Sequence, residues 1–322
     1  METLRTETRE TKSPALSTNE TYWKRLAKDL IRNKYIYIML LPVVIYYLVF
    51  HYGPMYGVQI AFKNYNTTEG IWASPWIGFN HFVEFFNSFY FWRLIKNTFL
   101  INFYELIFAF PAPIILALLL NEIRKMWFKR VVQTISYLPH FISIVVVVGM
   151  LVDFTTIDGL INAILVSFGF EPISFFQQAD WFRTVYIGSG IWQGIGWGSI
   201  IYLAAMANIN PALYEAAKID GAGRFKQVLH ITIPGIAPII IILLILQMGS
   251  MLSVGFEKII LMYNPMTYET ADVISTYVYR KGILEASFSF SAAVGLFNAV
   301  INFTLLILAN RISRRVSETS LW

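Results

Sequence analysis

Long apolar runs separated by short polar connections set the pattern of this chain. Asp, Glu, Lys and Arg are absent from residues 35–62, 131–152, 184–214, 231–256 and 286–310, and Glu105 alone interrupts 97–121. The hydrocarbon layer of a bilayer is about 30 Å thick, so a spanning helix needs roughly 20 apolar residues. All six runs reach that length. The pattern therefore predicts an all-α membrane protein with six transmembrane helices, with cores near 36–58, 98–120, 132–152, 184–206, 235–255 and 288–309. The first run starts too late, is too long and lacks a small-x-small sequence after it, so it is expected to stay as an anchor.

The connections are less regular. Residues 1–34 form a polar N-terminal tail, with 1–20 expected to be disordered. Tyr22 to Asn33 fits an amphipathic helix with Trp23, Leu26, Leu30 and Ile31 on one face, or a plain juxtamembrane stretch. The segment from Phe82 to Trp92 reads as an interfacial helix or as an aromatic belt. The Tyr-rich stretch 257–284 suits a protein partner, a sugar or the same belt. Residues 311–322 form the C-terminal tail.

Composition agrees with the spans. Of 322 residues, 56% are hydrophobic and 14% charged, against about 25% charged in soluble domains. No cysteine is present, which removes disulfides, thiol nucleophiles and thiolate metal sites. The net charge of +5 is a topology signal rather than a nucleic-acid footprint. Eighteen Lys and Arg fall in the tails and in the second-to-third and fourth-to-fifth connections, and seven fall on the other side. By the positive-inside rule both termini are cytoplasmic.

Catalytic constellations are missing. The four histidines lie far apart, and there is no H-E-x-x-H, no G-x-S-x-G and no G-x-x-x-x-G-K-[ST] phosphate loop. The chain is thus expected to be no enzyme, with no metal and no ATP site of its own. Gly190, Gly194 and Gly198 recur every four residues, which predicts a close helix approach along that face.

The connection around 207–234 is the most informative. Asn210 suits a helix cap and Pro211 the first helical position. Gly221-Ala222-Gly223 marks a turn. A second short helix is expected from Arg224 to about His230, with Pro234 opening the fifth span. Two short helices with apolar faces at a sharp angle suit a groove on a partner, or else the bilayer surface.

Glu215-Ala216-Ala217, then Gly221, then Ile231-Thr232-Ile233-Pro234 resembles the EAA motif of ABC importer permeases, E-A-A-x3-G-x9-I-x-L-P. Ile233 for leucine is the one departure. The run YEAAKIDGAG is similar to the carbohydrate-importing branch, as are Asn66-x3-Gly70, SPWIGFNHF and FWRLIKNT. IWQGIGWGSIIYLAAM resembles the subgroup handling oligosaccharides, alginate-type and pectin-type fragments included. The resemblance covers roughly residues 35–310. It implies a type I ABC importer permease fold with a cytoplasmic coupling helix, in a bacterial plasma (inner) membrane. It also implies Tyr214, Glu215, Ala216, Ala217, Asp220, Gly221, Ala222 and Pro234 as ATPase-coupling residues. The implied partners are a second homologous permease, leaning towards a heterodimer, two ATPase subunits that bind ATP and Mg, and an extracellular or periplasmic solute-binding protein. The outer stretch 257–284 would meet that binding protein.

Polar and aromatic side chains within spans are candidates for the substrate path. They are Trp192, Gln193, Trp197, Gln247, Asn298 and Asn302, with Ser250 and Ser253 adding hydroxyls. Interhelical hydrogen bonding explains the same residues equally well. Glu105 fits a structural pairing or a transport role. From the residues alone, a self-sufficient secondary transporter or channel stays open as the alternative.

Overall fold

A computed structural model describes residues 22–250, 252 and 255–316. The expectation for 1–20 and the hydroxyl of Ser253 lie outside them, as do the side chains of Trp23 and Leu26. Among the described residues there is no strand, only one bridge between Lys63 and Trp76. Two compact units form, Met1–Val58 and Gln59–Trp322.

In the first unit, helix Tyr22–Arg32 ends at Asn33 and the helix Lys34–Tyr47 follows. Asp29 holds this corner: it accepts 2.7 Å hydrogen bonds from Asn33 Nδ2 and from the Tyr37 hydroxyl. Residues 34–56 are exposed throughout. A helix that is apolar on every face and bare of protein takes lipid as its solvent.

Among the described residues, five helical stretches are long and apolar enough to cross a membrane: Lys34–Phe62, Phe91–Glu122, Ile144–Ser167, Arg224–Gly249 and Phe288–Arg314. The expected run 184–206 lies in the helix Ala179–Ala207. Its 29 residues extend about 43 Å, but its glycines and polar side chains dilute its apolar character. The expected run 132–152 is not one helix. Met126–Tyr137 gives way to a tight turn at Leu138–Phe141, and a new helix, Ile144–Thr155, begins after Ser143. Pro139 lacks the N–H that a continuing helix would use, which explains the break.

Widened π-turns at Leu48–Tyr52, Glu105–Ala109 and Val228–Thr232 share one cause. Each ends two residues before a proline, namely Pro54, Pro111 or Pro234. The proline ring clashes with the carbonyl one turn back, and an extra residue in that turn relieves the clash. The helix therefore bends around the proline instead of ending at it.

The helix Ala179–Ala207 runs through the core of the second unit. Phe182, Tyr186 and Ile187 pack with Ile101, Val148, Ile259 and Met262 near its start, and Tyr202 and Met206 pack with Ala117 and Ile236 near its end. Phe82 to Trp92 is not a single interfacial helix. Helix Asn80–Phe86 stops at Asn87, the next helix starts at Phe91, and Phe85 is buried against Leu94, Tyr277 and Phe290. The stretch 257–284 is likewise no loose outer loop. Ile259, Ala271, Asp272, Val273, Ile274 and Thr276 are all fully buried.

Candidate functional site

Local rules build the 210–234 segment. The side chain of Asn210 accepts a 3.0 Å hydrogen bond from the Ala212 amide, and Pro211 opens the helix Pro211–Ile219. Gly221 closes it with φ +74°, a conformation that side chains with a Cβ adopt at a cost. The Gly221 amide donates to Lys218 O at 3.1 Å and the Ala222 amide to Ala217 O at 2.8 Å. This pair of bonds is the Schellman closure of a helix end. A turn at 224–227 then runs through the π-turn Val228–Thr232 into Ile233–Gly249 without a break. The second short helix is thus the first part of the fifth apolar helix, and Pro234 sits inside that helix.

Two side-chain contacts fix the elbow. The hydroxyls of Tyr214 and Thr232 lie 2.9 Å apart, and Arg224 reaches Glu122 at 3.6 Å. The outer face is apolar and bare, with Ile219 87% and Phe225 79% exposed beside Leu213 and Leu229. Glu215 and Ala216 are exposed and Ala217 is half-buried. Glu215 has no ion-pair partner among the described residues. Asp220 follows as the exposed C-cap and Ala222 is half-buried.

A cavity of about 510 Å³ lies against the long helix, with Glu105, Pro113, Gly190, Gly198, Gln247 and Ser250 in its wall. The Glu105 carboxylate meets the Tyr186 hydroxyl and faces Lys258. Lys258 Nζ in turn donates to Tyr186 O at 2.8 Å. Of the six proposed path residues, only Gln247 lines this cavity. Gln193 donates to Ile142 O at 3.2 Å, and Trp197 stacks on His140 with ring centroids 4.6 Å apart. Both therefore grip the break at 138–142. Trp192 is partly exposed away from the cavity wall. Asn302 accepts from the Leu252 amide at 2.8 Å, while Asn298 Oδ1 is buried with no hydrogen-bond partner among the described residues. On the expected 190–194–198 face Gly198 does meet another helix closely, since a Cβ there would lie 2.9 Å from Pro113 Cγ, while a tighter approach occurs off that face at Gly196. A Cβ at Gly196 would overlap the Ser136 carbonyl, whereas Gly194 faces open space.

Residues 109–318 match the family described as the binding-protein-dependent transport system inner membrane component. The chain belongs to that family. The matched region takes in the elbow, the long helix and most of the cavity wall. Protein LplB of Bacillus subtilis (strain 168) is 47% identical over 292 residues, 90% of this chain and 92% of the relative. The polygalacturonan/rhamnogalacturonan transport system permease protein YteP of the same organism is 47% identical over 300 residues, 93% of this chain and 94% of the relative. A chain in the crystal structure of a bacterial alginate ABC transporter, in complex with an alginate pentasaccharide-bound periplasmic protein, superposes with a TM-score of 0.86. It is 48% identical and covers 92% of this chain and 100% of that chain. This permease thus shares the fold of that transporter chain, and its similar proteins include a permease of a polygalacturonan/rhamnogalacturonan transport system.

Sequence reasoning missed one polar cluster in this permease. Asp272 is fully buried and accepts from Arg280 Nη2 at 2.7 Å and from the Thr276 hydroxyl at 2.9 Å, with Arg93 at 3.4 Å. Asn97 donates to Glu269 O at 2.9 Å and to Asp272 O at 3.0 Å, and accepts from Arg183 Nη2 at 2.8 Å. The signal available in the sequence was charge within a Tyr-rich stretch that reads as exposed.

Proposed function

We propose that this permease forms part of the path for inward transport of oligosaccharides, with energy delivered through the 210–231 elbow. Six spans carry it, the helix Ala179–Ala207 being the sixth, and both termini and the elbow lie in the cytoplasm. Separate ATPase subunits bind ATP and Mg. A second homologous permease completes the path, and a binding protein delivers cargo from outside. The observation that carries this reading is the elbow itself: a rigidly closed helix end displaying Ile219, Phe225 and the exposed carboxylate of Glu215. An apolar patch beside such a carboxylate fits a groove that offers a basic group. Closure of the ATPase pair would draw the elbow inward and rock the spans. Family membership favours this reading over a self-sufficient carrier or channel.

Two experiments test it. Proline has φ near −65° and cannot take the +74° of Gly221. Gly221→Pro is therefore expected to leave membrane insertion intact and to abolish both uptake and substrate-stimulated ATP hydrolysis in the reconstituted importer. Retained coupling in a properly assembled variant would reject the role. Orientation is open to labelling because the chain has no cysteine. In permease freed of its ATPase subunits, Phe225→Cys is expected to react with a membrane-impermeant maleimide in inverted vesicles and not in intact cells. The opposite pattern would place the elbow outside.

A further inference from the structure

A second cavity, of about 470 Å³, adjoins the start of the long helix and has Tyr104, Phe108, Asp180, Arg183 and Thr184 in its wall. Arg183 differs from the two other arginines nearby. Arg93 and Arg280 share the buried carboxylate of Asp272. Arg183 has no ion pair among the described residues. Its one side-chain partner there is the Asn97 amide oxygen, and its Nε is shielded with no hydrogen-bond partner. Asn97 is itself held by two carbonyls, which turns its oxygen towards Arg183 and fixes the guanidinium in place. Three cations, Arg93, Arg183 and Arg280, stand against two carboxylates, the buried Asp272 and the exposed Asp180, which leaves these groups with a net charge of +1. Asp180, which shares the cavity, is exposed in the first turn of its helix, where the helix dipole favours an acid.

A guanidinium fixed by Asn97, with no ion pair within 4 Å among the described residues and only the exposed Asp180 as a nearby acid in the same cavity wall, lies beside aromatic faces and a hydroxyl and suits a ligand of definite chemistry. The guanidinium fork matches a carboxylate, the rings of Tyr104 and Phe108 match the C–H face of a sugar, and Thr184 can bond a hydroxyl. We propose that this cavity is a subsite for the carboxylate of an acidic sugar unit and that Arg183 receives it. The proposal rests on the oligosaccharide transport reading and narrows the cargo to uronate-containing chains. Polygalacturonan and alginate, the acidic polymers named for similar proteins, have that chemistry.

The test uses the assembled importer in phosphatidylcholine vesicles and in vesicles that also contain an anionic lipid. Three probes are compared: an oligogalacturonate, its uncharged methyl ester, and a neutral galacto-oligosaccharide. Arg183→Gln is expected to lower kcat/KM for the oligogalacturonate about tenfold, the scale of one lost charged hydrogen bond, in both kinds of vesicle. Uptake of the ester and basal ATP hydrolysis should not change. Arg183→Lys, which keeps the charge without the fork, is expected to restore part of the preference and serves where the glutamine variant does not assemble. Equal loss for acid and ester, or no loss for either, overturns the subsite. A loss confined to anionic vesicles assigns Arg183 to a lipid phosphate and also overturns it. A wild-type importer that moves the neutral sugar but no uronate overturns this inference alone. One that moves none of the three overturns the transport reading itself.

Discussion

Replacing Asp272 with alanine is expected to destabilise the permease by about 3 kcal/mol, because it removes a fully buried carboxylate from between two half-buried cations. Asp272 is fully buried, and Arg280 and Arg93 both turn towards it. Burial alone would lower the Arg280 guanidinium, but the hydrogen bond and charge of Asp272 outweigh burial and hold it above its usual value. Without the carboxylate, the half-buried Arg280 and Arg93 face one another with no acid between them. Asn97 would keep its bond to the Asp272 carbonyl, so the damage should centre on charge. Asp272→Asn, which retains the shape and hydrogen-bonding atoms, is expected to cost as much or nearly so. Thermal unfolding in detergent measures both, with a fall of roughly 10 °C in Tm anticipated for alanine. A Tm within about 2 °C of wild type, the range of an ordinary surface change, would show that the cluster contributes little.

The second large effect is a contrast between neighbouring glycines. At Gly196 a methyl group would overlap the Ser136 carbonyl, and backbone cannot swing aside as a side chain can. Gly196→Ala is therefore expected to cost about 2 kcal/mol or more as an overpacked contact. It should also loosen the neighbouring grips of Gln193 on Ile142 and Trp197 on His140. At Gly194 a methyl group would meet nothing within 4 Å. Gly194→Ala should be neutral or gain about 0.5–1 kcal/mol, since alanine loses less backbone freedom in a helix. Matching signs for the two variants would show that the long helix does not bear on 126–137 at Gly196.

Features governed by neighbours in sequence were legible. The apolar runs, the Asn210 cap, the Pro211 start and the turn at Gly221 all follow from rules acting over a few residues. The EAA spacing carried the family. Features governed by distant neighbours were not legible. Arg93 and Asp272 are 179 residues apart, so nothing local marks Asp272 as buried, and a polar, Tyr-rich stretch reads as exposed. Gly198 meets Pro113 as the regular 190–194–198 face predicts, but the tighter approach at Gly196 depends on where the 126–137 helix crosses. Where the substrate-path candidates point also depends on distant packing. Gln193 and Trp197 share a helix face, as their spacing required, but that face meets 138–142 rather than the cavity, and only Gln247 faces the open volume. The break at Pro139 was readable in principle, because one proline in an apolar run ends a helix as readily as it bends one.

The unbroken helix Arg224–Gly249 has a mechanical consequence. Its 26 residues make a rod about 39 Å long. Phe225 projects near one end, while Leu243 and Gln247 stand in the cavity wall near the other. The elbow and the cavity wall therefore share one helix, and its widened turn at 228–232 is the place where that helix can bend or twist. Under the coupling role proposed above, a displacement of the elbow would therefore be felt at the amide of Gln247 in the cavity wall.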